Sequence, residues 1–189
     1  MSRTQPIAKT APEGLELATL AGGCFWCLEP AFAELKGVLD VECGYAGSDY
    51  ANANYEAVCT GNTGLAEVIH ILFDPQIISY ETLLQIFFVL HDPTTLNRQG
   101  NDIGTQYRSA IFTHHAAQNL AAQSMKNWVE QAIEQPVTTQ IEAFNPAQYT
   151  RAEEYHQEYF ERNPDNGYCQ MMIPNKLSKL RANFVQLLK

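Results

Sequence analysis

"LELATLAGGCFWCLEPAFAEL", residues 15–35, decides how this chain is read. LELATL (15–20) has the short apolar pattern of a strand and runs into Gly22-Gly23. FWCLEPAFAEL (25–35) then reads as a helix that tolerates Pro30 near its first turn. Cys24 therefore sits at a strand-to-helix junction, where unpaired backbone N–H groups and the positive end of the helix dipole favour a thiolate. The two glycines let the backbone turn tightly and approach a ligand, and Phe25 and Trp26 can wall an apolar pocket beside the sulfur. Cys27 follows three residues later, so the stretch is open to three readings: a dithiol redox pair, half of a metal site, or one reactive thiol with a neighbour.

The chain has 189 residues, 46% of them hydrophobic, enough to bury the core of one domain. A flexible polar tail is expected over residues 1–13 and a single domain over 14–189. Twelve basic against 21 acidic side chains give a net charge of −9, which argues against nucleic acid and against an anionic membrane as partners. No stretch has the continuity of a membrane span or a secretory signal, so the expected location is the cytoplasm. Five cysteines, an odd number in a chain of this length, do not form a disulfide framework. No second Cys-x-x-Cys or His pair accompanies Cys24 and Cys27, so no metal is expected, and Cys43 and Cys59 read as small buried side chains.

Outward from the opening stretch, residues 38–45 and 68–74 read as strands, and Ser79 caps a helix carrying Leu83, Leu84, Ile86, Phe87 and Leu90. Residues 46–66 form a long loop and 91–106 a polar surface stretch. A strand over 107–113, a helix over 116–134, a strand over 137–144 and a helix over 150–161 follow. Interleaved strands and helices predict an α/β (α+β) fold with helices packed on one main sheet.

Four polar positions and one thiol stand out. Glu67 opens an otherwise apolar strand, where partial burial would raise its pKa and make it a proton donor near neutral pH. Asp102, Gln106 and Tyr107 lie in a glycine-bearing loop that enters a strand, a place where a scaffold fixes polar groups. Cys169 follows Asn163-Pro164 and Asn166-Gly167, in a segment expected to be mobile enough to bring its thiol to a reactive one.

GCFWCLEP, GYAGS, NYEAVCTGNTGLAEV, HDPTTLNRQGNDIGTQYRSAIF, EYHQEYFERNP and GYC occur in the order of the A-type peptide methionine sulfoxide reductases, and the resemblance runs from about residue 15 to about residue 180. It implies a two-layer α/β sandwich around a mixed β-sheet with a ferredoxin-like core. It implies a thioredoxin-dependent enzyme that reduces methionine-S-sulfoxide, with Cys24 as nucleophile and Phe25 and Trp26 holding the substrate methyl group. Tyr55, Glu67, Asp102 and Tyr107 match the polar groups around the sulfoxide oxygen, Glu67 being the proton donor. Cys169 matches a resolving thiol, no cofactor is needed, and a monomer is the default.

Two positions depart from the family pattern. Leu65 stands where the block usually has His, and Cys27 stands at a position often occupied by Gly, which makes it an alternative resolving thiol. A thiol-disulfide oxidoreductase using Cys24 and Cys27 is the competing activity, although it gives Glu67, Asp102 and Tyr107 no task. A non-catalytic module that binds oxidised methionine is the third reading.

Overall fold

The computed structural model describes residues 5–189. The chain runs through β1 (Glu16–Gly22), α1 (Phe25–Ala33), β2 (Val38–Ala46), α2 (Tyr55–Cys59), β3 (Ala66–Phe73) and α3 (Tyr80–Leu90). A two-stranded hairpin of β4 (Arg98–Gln99) and β5 (Asp102–Ile103) leads to β6 (Ser109–Thr113), α4 (Ala116–Ile133), β7 (Gln140–Ala143) and β8 (Thr150–Arg151). Two helices, α5 (Tyr159–Arg162) and α6 (Gly167–Phe184), complete it. The main sheet has the order β7-β6-β1-β3-β2-β8, antiparallel except for the parallel β6–β7 pair. Its four inner strands with α1 and α3 form a β-α-β-β-α-β unit ordered β6-β1-β3-β2, the split arrangement of ferredoxin-like folds.

Period-two alternation divides the strands between two layers. Leu20, Val41, Cys43, Ile69, Ile71 and Phe73 face the layer of α1, α3 and α6, where they pack with Leu28, Phe32, Phe87 and Ile173. The alternate residues Ala21, Ala46, Ala66 and Val68 face a smaller cluster closed by Tyr149 and Phe144. Glu67 belongs by parity to the first set, which puts a carboxyl into the main core. The helix after Ser79 forms as its pattern indicates: the Ser79 hydroxyl accepts the Thr82 N–H at 3.1 Å, and Leu83, Leu84, Ile86, Phe87 and Leu90 are buried.

Several expectations are corrected. The loop over 46–66 contains α2, started by Asn54, whose side chain accepts the Ala57 N–H. No continuous helix spans 150–161: β8 pairs with β2, a 3-10 turn covers 154–156, and Glu158 takes a left-handed φ of 52°. Gln157 accounts for the break, because its buried amide accepts the Cys43 N–H at 2.8 Å and donates to the Cys43 carbonyl at 3.0 Å. Long-range bonds thus replace local helical ones. Cys169 is not in a mobile segment but in the first turn of α6, fully buried, and Asn166 caps that helix by accepting the Tyr168 and Cys169 N–H groups. Cys59 is exposed, unlike the fully buried Cys43.

Residues 1–4 of the expected tail lie outside the described residues. Beyond them, the buried Ile7 donates its N–H to Glu42 at 2.9 Å, and the Lys9 ammonium donates to the Pro146 and Tyr149 carbonyls. Among the described residues no helix is long and apolar enough to cross a membrane.

His91 gives the fold an acid-labile point. Its Nδ1 lies 2.6 Å from the Phe87 carbonyl, so that nitrogen carries the proton, and Nε2 accepts the Ser109 hydroxyl at 2.7 Å. Burial lowers its pKa to about 3, with the Phe87 carbonyl opposing the shift. Between the ordinary histidine value of about 6.5 and that lowered value the unfolded chain binds a proton that the folded chain refuses. Stability therefore falls as pH drops through this window, by up to about 1.4 kcal/mol per pH unit for this group. Urea midpoints measured from neutral pH downward should fall more steeply in the native chain than in His91→Gln.

Candidate active site

The junction between β1 and α1 is built for close approach. Gly23 has a φ of 92°, and a Cβ there would stand 2.6 Å from Gln99 Cγ; one on Gly22 would stand 2.8 Å from the Phe87 ring. Only glycines let the chain turn here against α3 and the β4–β5 hairpin. Cys24 is the residue that caps α1, and it is 8% exposed. The unpaired N–H groups of the first turn lie beside it.

One of those groups is used by the site itself. Phe25 N–H donates to Glu67 Oε2 at 3.0 Å, tying the start of α1 to β3. Glu67 is 2% exposed. Burial raises its pKa to about 8, the Phe25 N–H opposes that shift, and the charges of Asp102 and Cys27 add to it. At neutral pH the carboxyl is therefore mostly protonated and can give a proton away.

Aromatic residues surround the thiol. The Trp26 indole N–H donates to His156 Nδ1 at 3.0 Å, which leaves the His156 proton on Nε2, 3.7 Å from a Glu153 oxygen. Burial lowers the His156 pKa to about 4, so the ring is neutral near pH 7. Glu153 also accepts the Tyr55 N–H at 2.7 Å and the Tyr45 hydroxyl at 2.8 Å. The Tyr159 ring stacks on Trp26 with centroids 3.9 Å apart and planes 7° from parallel. Phe25, Trp26, Tyr55 and His156 thereby form one wall.

The sequence-selected residues converge from separate elements: Cys24, Phe25, Trp26 and Cys27 from α1, Tyr55 from α2, Glu67 from β3, Asp102 from β5, Tyr107 from the turn before β6 and Cys169 from α6. Tyr55 and Tyr107 are half-buried; burial followed by the Cys59 thiol raises Tyr55, and burial followed by the Glu67 carboxyl raises Tyr107, both well above the usual phenol range, so they remain un-ionised. Asp102 accepts the Tyr168 hydroxyl at 2.6 Å. The Cys27 N–H donates to the Cys24 carbonyl at 3.1 Å. The thiolate expected of Cys24 at a helix start is not favoured in the folded chain: burial, followed by the neighbouring Cys27 thiol and the Glu67 carboxyl, raises Cys24 well above the usual thiol range.

Glu153, His156, Tyr159 and Tyr168 had no role in the sequence reading, although EYHQEYFERNP and GYC contain three of them. Their signal was the presence of those blocks, and only tertiary contact shows that Glu153 and His156 brace the aromatic wall. Leu65 is buried, and Thr63 supplies a hydroxyl acceptor for its N–H at 3.2 Å. Among the described residues no group of three or more His, Cys, Asp or Glu side chains is arranged to hold a metal ion.

Residues 16–187 match the family model for peptide methionine sulfoxide reductase. A peptide methionine sulfoxide reductase MsrA from Polynucleobacter asymbioticus is 51% identical over 176 residues, covering 92% of each chain. The crystal structure of Mxr1 from Saccharomyces cerevisiae in reduced form superposes with a TM-score of 0.79 at 36% identity, over 85% of this chain and 92% of that one. Mxr1 in complex with Trx2 superposes with a TM-score of 0.58 at 27% identity, over 80% and 89% of the two chains.

The protonated state of Glu67 is directly observable. Difference infrared spectra should contain a protonated-carboxyl band at neutral pH that disappears as pH rises through about 8 and is missing in Glu67→Gln. A carboxyl ionised at pH 6 would contradict the burial argument.

Proposed function

The chain belongs to the peptide methionine sulfoxide reductase family, and on that premise we propose that it reduces methionine-S-sulfoxide, free or within peptides, with Cys24 as nucleophile and Glu67 as proton donor. The observation that carries this reading is the buried carboxyl held near pKa 8 at the start of the same helix that carries the thiol. A sulfoxide oxygen leaves poorly until it is protonated, so an acid beside the nucleophile is what the chemistry needs. Cys24 attacks the sulfoxide sulfur as Glu67 protonates the oxygen. The oxygen passes to Cys24 as a sulfenic acid and methionine departs.

Tyr55 and Tyr107, un-ionised, donate hydrogen bonds toward the oxygen, and Asp102, held by Tyr168, completes the polar side. Phe25 and Trp26 hold the methyl group, with the indole fixed by His156 and covered by Tyr159. This chiral pairing of an apolar and a polar side selects one epimer.

Recycling uses the other thiols in turn. Cys27, one turn from Cys24 and bonded to its carbonyl through the backbone N–H, forms the first disulfide. Cys169, close enough to Cys27 for its charge to be felt, takes over that disulfide by thiol exchange. A thioredoxin dithiol then reduces the chain, in keeping with the Trx2 complex of the yeast relative. All five cysteines are free thiols, which suits a reducing compartment such as the cytoplasm. The Cys24–Cys27 dithiol, the feature that favours a thiol-disulfide oxidoreductase, is in this reading the recycling half of one enzyme.

Without reductant, the native chain should release methionine in a burst of one equivalent, rising to two as exchange with Cys169 frees Cys24 again, while Cys24→Ser releases none. Glu67→Gln should slow that burst by roughly 10² to 10⁴, the usual contribution of a general acid. Disulfide mapping at successive times should give Cys24–Cys27 before any bond that includes Cys169. Turnover of the S epimer by Cys24→Ser would remove the mechanism.

A further inference from the structure

Gln106, a polar residue of the glycine-bearing loop that enters β6, is buried at 4% exposure instead of being displayed to solvent. It belongs to a 3-10 turn, Thr105–Tyr107, and its amide meets the far end of α2, the five-residue helix that Tyr55 begins. A helix of one turn cannot hold itself and takes its position from what its ends are tied to. Its start is tied by the Tyr55 N–H, which donates to Glu153 at 2.7 Å. Its end leaves carbonyls without helical partners.

Local bonds satisfy the first of these. The Ala57 carbonyl accepts the Thr60 N–H and hydroxyl, and the Val58 carbonyl accepts the N–H of Gly61, which takes a left-handed φ of 74°. Two later carbonyls reach across to the turn: the Thr105 hydroxyl donates to Gly61 at 2.8 Å, and Gln106 Nε2 donates to Cys59 at 3.5 Å. Gln106 Oε1 lies against Gly104, where any Cβ would collide with it, so the nitrogen is the amide atom turned toward α2. The turn is itself held from its other side. Buried Arg108 donates Nη1 to the Thr105 carbonyl at 3.0 Å and Nε to Gln140 of β7 at 3.0 Å. The turn is therefore the fixed member of the pair, and α2 is the member it fixes.

We propose that Thr105 and Gln106 are positioning residues for sulfoxide reduction: they clamp the end of α2 to the turn that carries Tyr107, and so hold Tyr55 where both phenols meet one sulfoxide oxygen. The proposal rests on the reductase reading above, in which those two phenols donate toward that oxygen. Tyr55 comes from the clamped helix and Tyr107 from the clamped turn, so the contact between these two elements sets the spacing of the donors. The aromatic wall does not replace the clamp. The Tyr55 ring leans on His156 and Trp26, with centroids 4.5 and 6.3 Å away, and such contacts are non-directional. A hydrogen bond to the reacting oxygen, by contrast, weakens steeply with misalignment.

The test is a double-mutant cycle on the rate of methionine release in a single turnover, with enzyme in excess over methionine-S-sulfoxide and no reductant. Because a misplacement of about 1 Å can cost up to about 10² in rate, Thr105→Val, which keeps the shape and removes the hydroxyl, should slow release on the order of tenfold. Thr105→Ser should restore the native rate. In a Tyr55→Phe background Thr105→Val should change the rate by less than about twofold, because the hydroxyl that the clamp positions is gone. Gln106→Met, which removes the longer bond, should give a smaller loss, about threefold, that likewise vanishes beside Tyr55→Phe, and it carries the test if Thr105→Val does not fold. A merely structural contact would give the same fractional loss in both backgrounds, and that result would overturn the proposal. So would a native rate in Thr105→Val or in Tyr55→Phe, or a loss that Thr105→Ser leaves in place. Absence of any methionine release by the native chain would instead remove the reductase reading on which the proposal rests.

Discussion

The hydrogen bond from Phe25 N–H to Glu67 is the interaction on which the site depends. An acidic side chain in the core-facing row of a central strand is costly unless it is protonated or paired, and Glu67 meets both conditions partly. It accepts one helix N–H that would otherwise be unsatisfied, and it is mostly protonated at neutral pH. That single bond fixes the start of α1 against β3. It thereby sets the position of Cys24, which precedes Phe25, and of Trp26, which follows it. The ferredoxin-like arrangement makes this possible because β3 lies next to β1, the strand that feeds α1.

Charge around the thiols is divided between two sides of α1. Toward β3, the acid and the raised Cys24 keep the resting site largely un-ionised. Toward α6, Cys27 Sγ lies 3.9 Å from the Tyr168 hydroxyl, which is itself bonded to Asp102. In the proposed cycle the protonated Glu67 serves the sulfoxide oxygen and Cys27 serves the sulfenic acid. Helix α6 carries both Tyr168, which bonds Asp102, and the buried Cys169.

The aromatic wall rests on a different support. Residues 153–159 do not form one continuous helix because Gln157 is bonded to β2 and Glu158 adopts a left-handed conformation, and the irregular path presents Glu153, His156 and Tyr159 to the site from one short segment. Glu153 joins Tyr45 and the start of α2, and His156 fixes the indole. The neutral ring suits this role, since a protonated Nδ1 would have no lone pair for the Trp26 N–H.

The sequence by itself determined the features that depend on local pattern. The strand, the two glycines, the helix start at Cys24 and the Ser79-capped helix all follow from spacing and turn chemistry between near neighbours. It also picked out Cys24, Glu67, Asp102 and Tyr107, because unusual residues at element boundaries stand out along the chain. Tertiary structure decided the rest. The degree of Glu67 burial depends on what packs over β3, the helical expectation for 150–161 yielded to Gln157 bonds spanning 114 residues of chain, and Asn166-Gly167 became the cap of α6 because an apolar stripe through Cys169, Ile173, Leu177 and Leu180 could be buried. The anchoring of Lys176 to the Leu90 carbonyl at the end of α3 was equally invisible in sequence, since only the packing of distant segments brings the two together. Local pattern sets the conformation of neighbouring residues, whereas burial and long-range hydrogen bonds set the protonation state of each group and the identity of its partners.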